Sequence, residues 1–250
     1  MTLIIPRGIS IAEPIDLRTQ NIAQKLIIIL EPSSSATIIH GSIASPTEAT
    51  IERNIQCIVQ ENASLIMRYD EEWQPDLNVF TQILIEQHAS SVVHYTHSFR
   101  GGARIKQQLS LMVIGKNAQA DIRGVYEITH TGSVDITTLQ YHDTAHTRSN
   151  LLFKSIVRDA GQMSHHGTIE ITKNGMHTES AQHTHTLLLS NQARAVSVPN
   201  IEVSTHEVQC GHGSAIGRLD EEQLWYLQAR GLSREKAEEM LIHGFFNDVL

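Results

Sequence analysis

Cysteine, aromatic residues, positive charge and long apolar runs are all scarce in this 250-residue chain, and each scarcity excludes a class of protein. The two cysteines, Cys57 and Cys210, lie far apart and outside any Cys-x-x-Cys. Within one chain they can build neither a disulfide framework nor a four-thiolate metal site, and a reducing, cytoplasmic setting is the default. Lys and Arg number 19 against 27 Asp and Glu, a net charge of −8. That balance argues against phosphate neutralisation, so neither nucleic acid nor an anionic membrane is an expected partner. The longest aliphatic run, Leu26 to Leu30, is far too short to span a bilayer, and no basic segment followed by an apolar one opens the sequence. There is no Gly-rich loop ending in Lys-Ser/Thr and no Gly-x-Ser-x-Gly elbow, so the chain reads as neither a P-loop ATPase nor a serine hydrolase. Asp121, Glu127, Asp135 and Asp143 are too scattered to serve as the carboxylate pair of a polysaccharide-cleaving solenoid.

What is plentiful is Ile, Val, Thr, Ser, Gln and Asn, a strand-forming and polar-laddered composition, together with 15 histidines. From about residue 26 to 210 one unit recurs: an aliphatic strand, a short turn around a small residue, and a second strand. Val59-Gln60-Glu61-Asn62-Ala63-Ser64-Leu65-Ile66 and Ile114-Gly115-Lys116-Asn117-Ala118-Gln119-Ala120-Asp121-Ile122 are instances. The early turns recur at roughly 26 to 29 residues, a solenoid-like period. Period-2 stretches such as Gly167 to Thr172 are joined without amphipathic helices. The pattern fits a parallel β-helix, in which each rung buries its inward residues against its neighbours; a jelly roll or cupin remains the competing all-β reading. The first 25 or so residues show no repeat and are expected to be irregular.

The pattern breaks at Leu219, dividing the chain into a β-solenoid over 1–218 and a helical unit over 219–250. Asp220 with Gln223 makes a capping box ahead of Leu224, Trp225 and Leu227, and Gly231 stops the helix. Ser233 caps a second helix with Ala237, Met240, Leu241 and Phe245 at helical spacing. The pair can cover the open end of the solenoid. It can also dock a partner through Leu224, Trp225, Tyr226, Phe245 and Phe246, which concentrate apolar and aromatic area.

Three histidine-bearing stretches carry candidate chemistry. In Cys210-Gly211-His212-Gly213 a thiol and an imidazole two residues apart share one face of an extended backbone, either as a structural Cys beside an incidental His or as a reactive or metal-binding pair. His183-Thr184-His185 places two imidazoles on one strand face, with His165, His166 and His177 expected on adjacent rungs; this is a metal-holding set or a surface ladder. His88, His94 and His97 invite a cupin metal site, without the glycines and glutamate that usually flank one.

From about Tyr141 to Phe246 the chain resembles the C-terminal half of the SufB/SufD family of iron-sulfur cluster assembly scaffolds. The stretches that carry the resemblance are His146-Thr147-Arg148-Ser149, Phe153-Lys154-Ser155-Ile156-Val157, Leu187-Leu188-Leu189-Ser190, Val208-Gln209-Cys210-Gly211-His212-Gly213 and Leu219-Asp220-Glu221-Glu222 through Ala229-Arg230-Gly231. The resemblance implies a right-handed parallel β-helix with a small C-terminal helical domain that docks the SufC ATPase. It further implies a non-catalytic scaffold, paired through its β-helix with a SufB-like subunit or a second copy of itself, that handles iron or a nascent cluster transiently and keeps no stable cofactor. Cys210 and His212 match the Cys-x-His of SufD-like members. No cysteine lies between Cys57 and Cys210, and Gly213 stands where SufB-like members carry a glutamate, so the resemblance is SufD-like. Two readings compete with this scaffold role: a metal-dependent β-helix or cupin-type enzyme using the His183/His185 ladder, and a SufC-binding regulator that assembles no cluster.

Overall fold

A computed structural model describes residues 1–18, 25–42, 49–247 and 249. Alternating inward and outward side chains run through nearly every strand, as expected where one face of a pleated strand is buried and the other wet. The strands fall into two parallel sheets. One contains β1 (Thr2–Ile5), β3 (Lys25–Leu30), β5 (Thr50–Val59), β7 (Asn78–Gln87), β9 (Arg104–Val113), β11 (Ser133–His142), β13 (Gln162–Ile171) and β15 (Arg194–Val203). The other contains β2 (Ile15–Asp16), β4 (Ser35–Ser42), β6 (Ser64–Trp73), β8 (Val92–Gly101), β10 (Gln119–Ile128), β12 (Arg148–Val157), β14 (Glu179–Leu188) and β16 (Gln209–Gly217). Successive strands alternate between the sheets, so the chain winds as a parallel β-helix of about seven turns. The jelly-roll and cupin readings fall, because both need antiparallel pairing and every ladder here is parallel.

The turns between the sheets explain the repeat seen in the sequence. Ser33, Asn62, Ser90, Asn117, His146 and His177 adopt the left-handed conformation (φ between 55° and 61°) and stack turn upon turn. The Asn62 N–H donates to the Ala89 carbonyl (2.9 Å), that of Ser90 to Lys116 (2.8 Å), and that of His146 to Met176 (2.9 Å). Asn is tolerant of this conformation and Ser and His less so, which is why the motif is degenerate in sequence yet regular in space. The opening stretch, expected to be irregular, already contributes two short strands: β1 pairs with β3 and β2 with β4, their short length hiding the alternation. Residues 19–24 lie outside the described residues.

The lumen changes character along its axis. In its first half it is mostly aliphatic around one buried ionic centre, Arg53 with Glu71. From β11 onward Thr138, Gln140, His142, Ser149, Ser155, His165, Ser180, Gln182, Thr184 and Thr186 all face inward and are buried.

After β16 come α1 (Glu221–Ala229) and α2 (Arg234–Phe246). Asp220 accepts from the Glu222 N–H and Ser233 from that of Lys236, so both expected N-caps form. The pair does not cover the last coil. Instead α2 lies on the outer face of the second sheet, where Ile242, Phe245, Phe246 and Val249 pack on Val125, Leu152, Ile156 and Leu187. Lys154 of β12 donates to the Phe245 carbonyl (2.7 Å) and lies 4.9 Å from that residue's ring centroid, clamping the helix end. Sheet-face packing wins because Val125, Ile156 and Leu187 form an outward apolar strip that water would otherwise meet. No helix among the described residues is long and apolar enough to cross a membrane.

Candidate functional site

At the C-terminal end the final coil, β15 and β16, is stacked on one side only: β15 pairs with β13 and β16 with β14, and no described strand follows. Register fixes which side chains point inward there. Cys210, His212, Ser214 and Ile216 pair with Ser180, Gln182, Thr184 and Thr186, all buried lumen residues. Across the lumen, Ala195, Ser197, Pro199 and Ile201 pair with Met163, His165, Gly167 and Ile169. The thiol and the imidazole therefore share one inward face, as their i, i+2 spacing requires. They sit at the open mouth, with His212 exposed and Cys210 partly so.

The floor beneath them is polar. Thr184 Oγ1 shares a hydrogen bond with Ser197 Oγ (3.0 Å) and donates to Ser214 Oγ (3.2 Å), tying the two sheets across the lumen. Ser180 Oγ and Ser149 Oγ are linked at 2.8 Å, and both are reached by the Gln140 amide. Burial holds the His142 and His165 imidazoles down at about 4, keeping both rings neutral near pH 7.

On the outside of β16, Gly211, Gly213, Ala215 and Gly217 leave a nearly bare surface. A Cβ built on Gly213 would stand 2.8 Å from His183 Nδ1, so this glycine makes room for the imidazole of the neighbouring strand. His183 and His185 both face outward, away from Cys210 and His212. The other histidines expected near them are dispersed: His165 is in the lumen, His166 on the outer face of the first sheet, and His177 in a turn, stacked on His146 with ring centroids 4.7 Å apart. The cupin set also separates, with His97 inside the lumen, His94 outside and His88 at a turn beside Glu86. Among the described residues no three His, Cys, Asp or Glu side chains gather closely enough to hold a metal ion. Cys210 and His212 put one thiol and one imidazole at the mouth, fewer donor side chains than a closed metal site needs.

Cys57 is fully buried in the lumen beside the Met67 sulfur (3.7 Å), and burial pushes its thiol up to about 12, so it stays protonated. The residues expected to dock a partner divide. Leu224 is buried in the helical pair, and Phe245 and Phe246 are turned onto the β-sheet. Trp225 and Tyr226, 64% and 59% exposed, stand outward and, like Met240, belong to the exposed large apolar side chains of the helices. The polar floor, Gln182, Thr184, Ser197 and Ser214, was not singled out from sequence. Its one signal is parity, since each residue shares the inward phase of its strand, and that phase is readable only once coil length is known.

The chain matches the family model described as "SUF system FeS cluster assembly, SufBD core domain" over residues 15–245. It is 29% identical over 158 residues to the iron-sulfur cluster assembly protein SufD of Escherichia coli, covering 63% of this chain and 37% of that protein. It is 28% identical over 209 residues to an iron-sulfur cluster assembly SufBD family protein of Mycobacterium leprae, covering 80% and 53%. A chloroplastic protein of Arabidopsis thaliana aligns with all of this chain and 56% of its own length at 24% identity. The chain thus spans about half or less of the length of these relatives. With the solenoid and the Cys-x-His strand at its mouth, this match over most of its length makes the chain a member of the SufB/SufD family of iron-sulfur cluster assembly proteins.

Proposed function

We propose that the chain is a SufD-like, non-catalytic scaffold subunit that helps hold iron or a nascent iron-sulfur cluster where its last coil meets a second scaffold subunit. The observation that carries this reading is the placement of Cys210 and His212 together on the inward face of an uncovered coil. Thiolate and imidazole suit iron, and two such ligands are an incomplete set that sulfide or a partner's residues complete. The free edges of β15 and β16, with Val196, Val198 and Ile216 exposed, give that partner strands to pair with. A SufB-like subunit or a second copy of this chain fits there. A SufC-like ATPase docks on residues 219–250, chiefly through Trp225 and Tyr226, with Leu224, Phe245 and Phe246 supporting that surface from within. The cargo passes through, leaving no resident cofactor, and the setting is cytoplasmic.

The test is cluster maturation in a complex assembled with Cys210→Ala and His212→Ala variants. Loss of maturation with unchanged circular dichroism and melting is the expected result. A stable double variant that matures clusters normally would remove the proposal, and if it still bound the ATPase it would leave a regulatory subunit in its place. The enzymatic reading that used His183 and His185 has no third ligand among the described residues to support it.

A further inference from the structure

The coil directly beneath Cys210 and His212 contains polar atoms that lack partners. His165 Nε2 shares a 2.9 Å hydrogen bond with Thr138 Oγ1, and its Nδ1 has none. Gln182 Oε1 also has none, although the residue is 1% exposed. A buried acceptor without a donor is costly, so its place here calls for a reason.

Position supplies one. A Cβ built on Gly167 would lie 2.2 Å from Gln182 Nε2, 2.4 Å from Oε1 and 2.5 Å from Cδ. The amide therefore reaches across the lumen and rests over that glycine, where any larger residue would displace it. Along the ladder Gln182 pairs in register with His212, the next inward side chain of the same column, about 4.8 Å further along the axis. The column of Cys210 offers no comparable acceptor, because its register partner Ser180 is already bonded to Ser149 and to the Gln140 amide.

We propose that Gln182 is a positioning residue for His212: its carbonyl, unpaired here, is the acceptor for an imidazole N–H once that ring turns into the lumen, leaving the other ring nitrogen to face the open mouth. The proposal rests on the reading of Cys210 and His212 as ligands. In metal-bound histidines the nitrogen away from the metal usually donates to a carbonyl or carboxylate, which fixes tautomer and ring orientation and strengthens the ligand. Here the acceptor comes from a closed coil, held from both sides, and the histidine from a strand paired on one side only. Gly167 belongs to the same device, because the glycine is what lets the amide lie where it does.

Titration of the full chain, free of a His tag, with Co2+ tests this, with thiolate and imidazole ligation read from the absorption spectrum. Gln182→Leu is expected to weaken Co2+ binding about tenfold and to shift the ligand-field bands. Gln182→Glu is expected to restore affinity. Gly167→Ala, which pushes the amide aside while keeping it, is expected to reproduce the loss. Circular dichroism checks each fold; if Gln182→Leu fails to fold, Gly167→Ala and Gln182→Asn, which shortens the reach, carry the test. Unchanged affinity and spectrum in the folded variants would overturn the proposal and leave Gln182 Oε1 as the partner of a buried water. Cys210→Ser and His212→Ala separate the two levels. If neither alters Co2+ binding, the ligand reading itself fails; if both weaken it while the Gln182 and Gly167 variants do not, only the positioning role is lost.

Discussion

Glu71 is a carboxylate placed where a carboxylate costs most, in the middle of the lumen with its side chain sealed from water. Its Oε1 accepts from Arg53 (2.8 Å), Tyr69 (2.7 Å) and Trp73 Nε1 (3.1 Å), and its Oε2 faces His97 Nε2 at 3.2 Å. Burial alone would raise its pKa; the hydrogen bond and charge of His97, with those of Arg53 and Tyr69, more than reverse this and hold it below the usual range. Removing one member strands the rest, so Arg53→Leu should lose about 3–5 kcal/mol in urea unfolding. Adding Glu71→Gln should recover much of that loss, and a double variant as unstable as the single would contradict the pairing. The neutral histidines give a second prediction. His40, His142 and His165 are held by burial at about 4, below the unfolded value, so the unfolded chain binds more protons between about pH 6.5 and 4. Stability from this source is complete above pH 6.5 and is lost as pH falls, by up to about 1.4 kcal/mol per unit for each ring. His165→Gln should narrow the difference between urea midpoints at pH 7 and pH 5; an unchanged difference would show that His165 takes up no proton on unfolding.

At the scale of elements, the helical pair and the sheet beneath it depend on each other unequally. The strands of the second sheet continue well beyond the strip that α2 covers, so removing residues 219–250 should leave the β circular dichroism and melting in place. It should also uncover Val125, Leu152, Ile156 and Leu187 and cause self-association in size-exclusion chromatography, along with loss of ATPase co-purification. A truncated chain that stays monomeric would show that this strip needs no cover. Trp225→Ala with Tyr226→Ala makes the finer cut, predicted to weaken ATPase binding while leaving melting unchanged, because neither ring is buried. Both helices were legible in sequence through Asp220, Ser233 and Gly231, local signals that act within one turn. Their resting place was not legible. That depends on Val125, Ile156 and Leu187, separated by about 30 residues each and aligned only by the winding of the solenoid.

For the whole molecule, the parallel β-helix could be read because Asn62 and Asn117 mark turns openly, whereas Ser33, His146 and His177 fill the same role without a sequence signature. Cys210 and His212 could be paired by spacing alone, but their inward direction and open position emerge only from the register with Ser180 and Gln182. A solenoid distributes stability along one axis, each coil drawing on its neighbours. Interior coils such as β9 with β10 have a neighbour on both sides, whereas β15 and β16 have one. Amide hydrogen exchange should therefore be slowest near the middle and rise toward both ends, with residues 194–217 among the fast-exchanging segments. Engagement of a second scaffold subunit should slow exchange in that final coil, most strongly at the backbone around Cys210. If the proposed pairing holds, the uncovered coil is the part of the fold whose order assembly completes, and Cys210 and His212 would then be firmly held only when a partner is there to share the cargo.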